Sequence, residues 1–185
     1  MPLLPAVFLD RDGTLNRQII REGRPYPPAT LEEFRLYEGV AQCCEQLKAA
    51  GFVLVVVTNQ PDVGRGTQDR QIVESMHRHL RSLIPSIDLI QVCYHGGENH
   101  GQPCPCRKPR PGMLISAAAH FGLDLSQSWM VGDRWRDVEA GHSAGCRTIF
   151  IDHSYAEPTP NPAPHFTVNS FEEATLAILQ RQKLP

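Results

Sequence analysis

The sequence predicts an α/β fold, a doubly wound parallel sheet with helices on both faces. Short apolar runs recur along the chain, segments of helical periodicity separate them, and several runs end on an acid or an amide. Runs that are apolar throughout, without alternation, mark strands buried on both faces, and such strands need crossover helices between them. With 185 residues, 41% of them hydrophobic and 21% charged, the chain suits one globular domain over residues 1–185.

The strand candidates, in order, are "AVFLD" from Ala6, "FVLVVVT" from Phe52, "IDLIQVCY" from Ile87, "SWMVGD" from Ser128 and "RTIFID" from Arg147. Val40, Cys43, Cys44 and Leu47 share one helical face that Gly51 ends, and Ile72, Met76, Leu80 and Leu83 repeat at helical spacing. A third helix starts at Pro111, buries Leu114, Ala117, Ala118 and Phe121, and stops at Gly122. Another follows Asp133 and ends near Gly145. Ser170 with Glu173 forms a capping-box pattern that opens a last helix toward Gln182. The proline-rich stretches Gly23 to Pro28 and Glu157 to Pro164 are expected to be loops, not linkers between domains. Such a Rossmann-like sheet binds ligands beyond the carboxyl ends of its strands, so the chemistry is expected there.

A formal net charge of -2 gives no general attraction for nucleic acid. "MPLLPAVFLD" lacks a cationic opening and its apolar stretch stops at an acid, so neither a signal peptide nor a membrane span is expected, and the cytoplasm is the default compartment. The chain has six cysteines. Cys93, Cys104 and Cys106 crowd into "CYHGGENHGQPCPCRKP" with His95 and His100, and three readings compete: a disulfide clip, a metal knot, or chance. A reducing cytoplasm and the tight C-x-C spacing weigh against the clip. Cys43, Cys44 and Cys146 are expected to pack as small buried residues.

The polar ends of the strands carry the chemistry. "VFLDRDGTLN" sets Asp10 and Asp12 at one strand mouth, with Gly13 to turn the chain; such a pair needs a cation between its members or a shared proton. "LVVVTNQ" ends in Thr58 and Asn59, whose hydroxyl and amide suit an oxyanion, although the same residues also end strands and cap turns. "RKPRPGM" puts Lys108 just before a helix N-terminus, where a cation and free N–H groups suit one phosphate. "MVGDRWRD" offers Asp133 as the better metal ligand, with Asp137 a ligand or a first-turn helix charge.

These four pieces, "DRDGT", "VVVTNQ", "RKP" and "GDRWRD", resemble the ordered motifs of the haloacid dehalogenase superfamily of phosphohydrolases, and the resemblance covers nearly the whole chain. It implies that Asp10 is the nucleophile and passes through an aspartyl phosphate, and that Asp12 is the general acid and base. It implies Mg²⁺ on Asp10, the main-chain carbonyl of Asp12 and Asp133. Thr58, Asn59, Gln60 and Lys108 would hold phosphoryl oxygens. Within the superfamily, C-x-H and C-x-C just before R-K-P resemble the zinc loop of heptose bisphosphate and histidinol phosphatases. That likeness implies structural Zn²⁺ on Cys93, His95, Cys104 and Cys106 in a loop spanning 93–106, with His100 a competing ligand.

The implied substrate is a small phosphorylated sugar, D-glycero-D-manno-heptose 1,7-bisphosphate the first candidate and histidinol phosphate the alternative; a binding protein that senses a phosphorylated metabolite without turnover is the reading from another class. A monomer is expected, without nucleic-acid or membrane partners. The gaps between motifs, roughly fifty residues each, leave room for only a minimal cap around Arg17 to Pro28. Arg107 and Arg134 are expected to touch substrate, and with Arg17, Arg21 and Arg24 to form a second anion site. Trp135 is a candidate for stacking on substrate or for a plain helix surface. The segment from Asn16 to Phe34 and the Pro61-Asp62 pair after "TNQ" depart from the heptose enzymes where the leaving group would sit.

Overall fold

A computed structural model describes residues 3–101 and 104–182. Six parallel strands form the sheet: β1 (Ala6–Leu9), β4 (Val53–Asn59), β5 (Leu89–Cys93), β6 (Trp129–Gly132), β7 (Arg147–Ile151) and β8 (Phe166–Val168), in the spatial order β5-β4-β1-β6-β7-β8. The chain starts in the middle, builds outward to β5, then returns to the other side of β1 with β6. That reversal is the switch point at which open α/β sheets bind ligands. Leu9 pairs with Val56 on one side and Val131 on the other, so the residues just past all three strand ends open onto one mouth.

The apolar runs are continuous because helices cover both faces. Val7, Leu9, Leu54, Val56, Val131 and Ile149 pack against α1 (Val40–Ala49), α3 (Arg70–Leu83) and α6 (Phe171–Gln182). Ala6, Phe8, Val55, Val57 and Met130 pack against α4 (Gly112–Phe121) and α5 (Trp135–Ala144) on the opposite face. A single turn, α2 (Pro61–Gly64), follows β4. Gly122 and Gly145 take left-handed conformations that end α4 and α5, as the punctuation of the sequence indicated.

Three local readings change. The stripe of α3 that faces inward is Val73, Met76, His77 and Leu80, while Leu83 lies 42% exposed, because the helix rolls to bury a histidine that the apolar pattern passes over. β8 was absent from the expected strands; its three residues are too few to show a period, and it gains strand geometry by pairing with β7. The stretch expected as a loop after Arg17 holds a hairpin, β2 (Ile19–Arg21) with β3 (Arg24–Tyr26), whose turn residues Glu22 and Gly23 both have positive φ. This hairpin is the minimal cap. No helix among the described residues is long and apolar enough to cross a membrane.

Candidate active site and cysteine cluster

Asp10 leaves β1 with its N–H donating to the Val131 carbonyl at 2.9 Å, which ties the first motif to β6. Lys108 Nζ reaches in from the segment before α4 and donates to Asp10 Oδ1 at 2.7 Å and to the Val57 carbonyl at 2.7 Å, with Asp137 Oδ1 at 2.6 Å. Lys108 is 2% exposed, and a buried ammonium is tolerable only with such partners. Burial opposes its charge, but Asp10 and Asp137 outweigh that and hold its pKa above the ordinary lysine value.

Asp133, 1% exposed, ends β6 opposite Asp10, and neither of its carboxylate oxygens has a hydrogen-bond partner among the described residues. The Tyr155 hydroxyl faces it without reaching hydrogen-bond geometry. A Cβ on Gly13 would lie 1.9 Å from Asp133 Oδ2, so the glycine serves two needs at once, a φ of +91° and room for that carboxylate. Burial raises Asp133 well above the usual carboxylate range, and Asp10 and Asp137 add to the rise. Burial likewise pushes Asp10 up to about 6, against the pull of Lys108. Acceptor atoms of Asp10, Asp133 and Asp137 lie within 4.8 Å of one another. Two unpaired buried oxygens beside a second carboxylate form a hard, anionic donor set that fits a divalent cation such as Mg²⁺.

Asp137 is the less available of the three. Its Oδ2 accepts from the Arg134 N–H at 3.0 Å, capping α5, while its Oδ1 pairs with Lys108, so the first-turn charge is also the anchor of the lysine.

Asp12 is gripped from several sides. Arg11 Nη2 donates to both of its oxygens at 2.9 Å, Asn16 Nδ2 donates at 3.0 Å and Gln60 Nε2 at 2.8 Å. Arg11 is fully buried, lies over Phe34 and donates through Nη1 to His77 Nε2 at 2.9 Å. Burial, then the Arg11 charge, pushes His77 down to about 3, so the ring is neutral and free to accept. The sequence marks neither Arg11 nor Asn16 for a role and suggests for His77 only a surface or packing position. The only signal was a basic residue inside a buried strand end, where an unpaired charge is costly.

The "TNQ" residues divide. Gln60 Nε2 bridges Asp12 to Thr58 Oγ1 at 2.9 Å, and Gln60 and Thr58 are both buried. Asn59 lines the cleft, yet its amide is engaged elsewhere: Nδ2 donates to the Lys108 carbonyl at 3.0 Å and Oδ1 accepts the Lys108 N–H at 3.1 Å. Asn59 therefore holds the lysine segment in place instead of offering its amide to an oxyanion. The main-chain carbonyl of Asp12 accepts from Gln18 Nε2 at 2.7 Å, which leaves one lone pair.

The cleft runs from Asp10 and Asp12 past Pro25 of the hairpin and Pro27 just beyond it to Arg107, Arg134 and Arg136. Arg17, Arg21 and Arg24 do not line it: Arg17 lies over Tyr37 and Arg21 over Tyr26. Of the five arginines expected at a second anion site, Arg107 and Arg134 line the cleft, Arg136 joins them, and the hairpin leaves Arg21 and Arg24 outside it. Arg107 is half-buried, its Nη1 has no hydrogen-bond partner among the described residues, and burial followed by the charges of Arg136 and Arg65 makes its proton easier to lose. No ion pair reaches Arg107 or Arg136 among the described residues. Arg134, by contrast, is paired with Glu157 through Nε and Nη2. Trp135 carries the Arg136 guanidinium over its ring and does not line the cleft.

The cysteine knot sits behind Arg107. Cys93 Sγ lies 3.5 Å from His95 Nδ1 and 3.6 Å from Cys104 Sγ, and Cys106 Sγ lies 3.3 Å from His95 Nδ1. All four donor atoms fall within 4.8 Å of one another, the spacing of a tetrahedral shell around one Zn²⁺. His100, on the short turn Glu98–His100, stands outside this group. A sulfur separation of 3.6 Å is far beyond a bond, and all six cysteines are free. The Gln60 N–H donates to the Cys93 carbonyl at 2.8 Å, and Gly112 N–H to the Pro105 carbonyl at 3.0 Å, so the knot is tied to both β4 and α4.

A carboxylate positioned beside a buried lysine at the switch point of a parallel sheet suits displacement at phosphorus. The chain belongs to the haloacid dehalogenase-like hydrolases and is a phosphoric monoester hydrolase. The family profile described as "HAD-hyrolase-like" matches residues 105–174. A D-glycero-beta-D-manno-heptose-1,7-bisphosphate 7-phosphatase of Escherichia coli (strain K12) is 35% identical over 97% of this chain and 96% of its own, and that of Pasteurella multocida is 40% identical over 79% and 80%. Among solved structures, D,D-heptose 1.7-bisphosphate phosphatase from B. bronchiseptica, complexed with magnesium and phosphate, superposes with a TM-score of 0.80 at 26% identity, covering 96% of this chain and 99% of its own. A putative HAD-like phosphatase from Mesorhizobium loti gives 0.77 at 29% identity over 100% and 90%.

Proposed function

We propose that the chain is a Mg²⁺-dependent phosphatase that removes the 7-phosphate of D-glycero-D-manno-heptose 1,7-bisphosphate. The observation that carries it is the pair of unneutralised guanidinium groups, Arg107 and Arg136, in the same cleft as Asp10 and Lys108: one anion for the reacting end, a second for the distal end. Mg²⁺ would be held by Asp10, Asp133 and the Asp12 carbonyl, and it supplies positive charge against the phosphoryl oxygens. Zn²⁺ on Cys93, His95, Cys104 and Cys106 would be structural, with every position filled by protein.

Asp10, oriented through Oδ1 by Lys108, attacks phosphorus with its carboxylate oxygen. The bond to the sugar oxygen breaks as Asp12 gives that oxygen a proton; Asp12 then takes a proton from water, which attacks the aspartyl phosphate and releases inorganic phosphate. Arg11 fixes the orientation of the Asp12 carboxyl group through both of its oxygens. Lys108 and the Thr58 hydroxyl, whose oxygen accepts from Gln60, face the phosphoryl oxygens.

A panel of the heptose bisphosphate, the heptose 7-phosphate, histidinol phosphate and p-nitrophenyl phosphate, each with and without Mg²⁺, tests this. The heptose bisphosphate should give the highest kcat/KM. Preference for histidinol phosphate would reject the sugar assignment, and no Mg²⁺-dependent release from any of them would reject catalysis in favour of binding.

A further inference from the structure

The segment after β7 returns across the mouth of the site. His153 Nε2 donates to the Gly13 carbonyl at 2.7 Å, in the turn that follows Asp12, and its ring stacks 5.8 Å from Tyr37. Tyr155 lies 5.4 Å from the His153 ring and 6.0 Å from the Arg134 guanidinium, and two residues later Glu157 takes Nε and Nη2 of that guanidinium. Glu157 lies beside the cleft, not in its lining, and bears on it through Arg134, which does line it. Here each cancels the other: Arg134 has a side chain 18% exposed and Glu157 one 23% exposed, and such a half-buried bidentate pair is well screened from water. The other cations of the cleft, Arg107 before α4 and Arg136 two residues beyond Arg134 on α5, have no ion-pair partner among the described residues.

We infer that Glu157 is a specificity-determining residue that acts through Arg134: by neutralising that guanidinium it makes the Arg134 position receptive to sugar hydroxyls and leaves the second phosphate to Arg107 and Arg136. Glu157 is a positioning residue, since it works on substrate only through its partner. The inference rests on the phosphatase reading above and adds a residue that decides which arginines remain for the second phosphate.

The test is steady-state kinetics of the Mg²⁺- and Zn²⁺-loaded protein on the heptose 1,7-bisphosphate and the heptose 7-phosphate, for wild type, Glu157→Gln, Glu157→Asp and Glu157→Gln with Arg134→Met. Glu157→Gln frees the guanidinium and should lower KM for the bisphosphate about fivefold or more, with KM for the monophosphate falling less than about twofold. Glu157→Asp should keep the wild-type ratio of the two, and Arg134→Met should cancel the shift. A ratio unmoved by Glu157→Gln, an equal fall in kcat on both sugars, or a shift that survives Arg134→Met would overturn the inference. If the wild type turns over neither sugar, the heptose reading fails. The inference is then decided by competition against p-nitrophenyl phosphate hydrolysis, where Glu157→Gln must strengthen inhibition by fructose 1,6-bisphosphate and not by fructose 6-phosphate.

Discussion

At the scale of single residues, the site separates groups that react from groups that hold them. Asp10→Asn removes the nucleophile and one metal charge with little change in volume, so kcat should fall at least about a thousandfold while thermal unfolding stays close to wild type; turnover within tenfold of the parent would remove Asp10 from the nucleophile's role. Asn59→Ala tests the opposite category. It deletes both hydrogen bonds to the Lys108 main chain, so the lysine loses its fixed approach to Asp10 and kcat should drop about ten- to a hundredfold with a smaller change in KM. An Asn59→Ala enzyme with raised KM and intact kcat would instead mean that the amide touches substrate. The tripeptide Thr58-Asn59-Gln60 does not reveal by sequence which of its members touch substrate and which hold others in place, because Thr, Asn and Gln all carry groups suited to either task.

At the scale of elements, the loop between β5 and α4 carries the cysteine knot, which the proposed Zn²⁺ would close. Its turns around Gly97 and Gly101 have little apolar content, and Arg107 and Lys108 leave it within two residues of Cys106. A ligand-closed loop of this kind loses its order with its metal. Removal of Zn²⁺ by a strong chelator should therefore lower the melting temperature by several degrees and raise hydrogen exchange from Tyr94 to Arg107, and readdition of Zn²⁺ should restore both. Metal analysis giving less than half an equivalent of zinc per chain would return the knot to four free side chains. Weak chelation of Mg²⁺ should behave differently, halting turnover reversibly with no change in exchange at the loop.

At the scale of the whole molecule, the buried network below the site makes stability depend on pH. His77 titrates near 3 in the folded protein and near 6.5 when exposed, so its contribution is complete above about pH 6.5 and is lost as pH falls toward 3. Each pH unit in that window costs at most about 1.4 kcal/mol. Asp10 and Asp133, raised by burial, act with the opposite sign, since their protonation relieves repulsion in the metal-free fold. The difference between wild type and His77→Asn, measured by urea unfolding with Mg²⁺ present, isolates the histidine. The variant should show a flatter loss of stability between pH 6 and 4, and parallel curves would detach His77 from the acid limb.

Much of this protein is determined by local order in its sequence. β1, β4 and β6 are short apolar runs closed by Asp10, Thr58 and Asp133, and burial on both faces with a polar end leaves few other structures open to them. The Cys93, His95, Cys104 and Cys106 spacing alone leaves a clip, a metal knot and chance open, and it is the resemblance that implies metal. Only the tertiary structure decided which charges cancel. Arg11 meets Asp12 and His77, Arg134 meets Glu157 from beyond β7, and the hairpin carries Arg21 and Arg24 away from the cleft while α5 brings Arg136 into it. Pairing of charges depends on distance through space and on burial, not on separation along the chain. A sequence shows which residues carry charge, whereas the fold determines which of those charges remain unneutralised and available to a substrate.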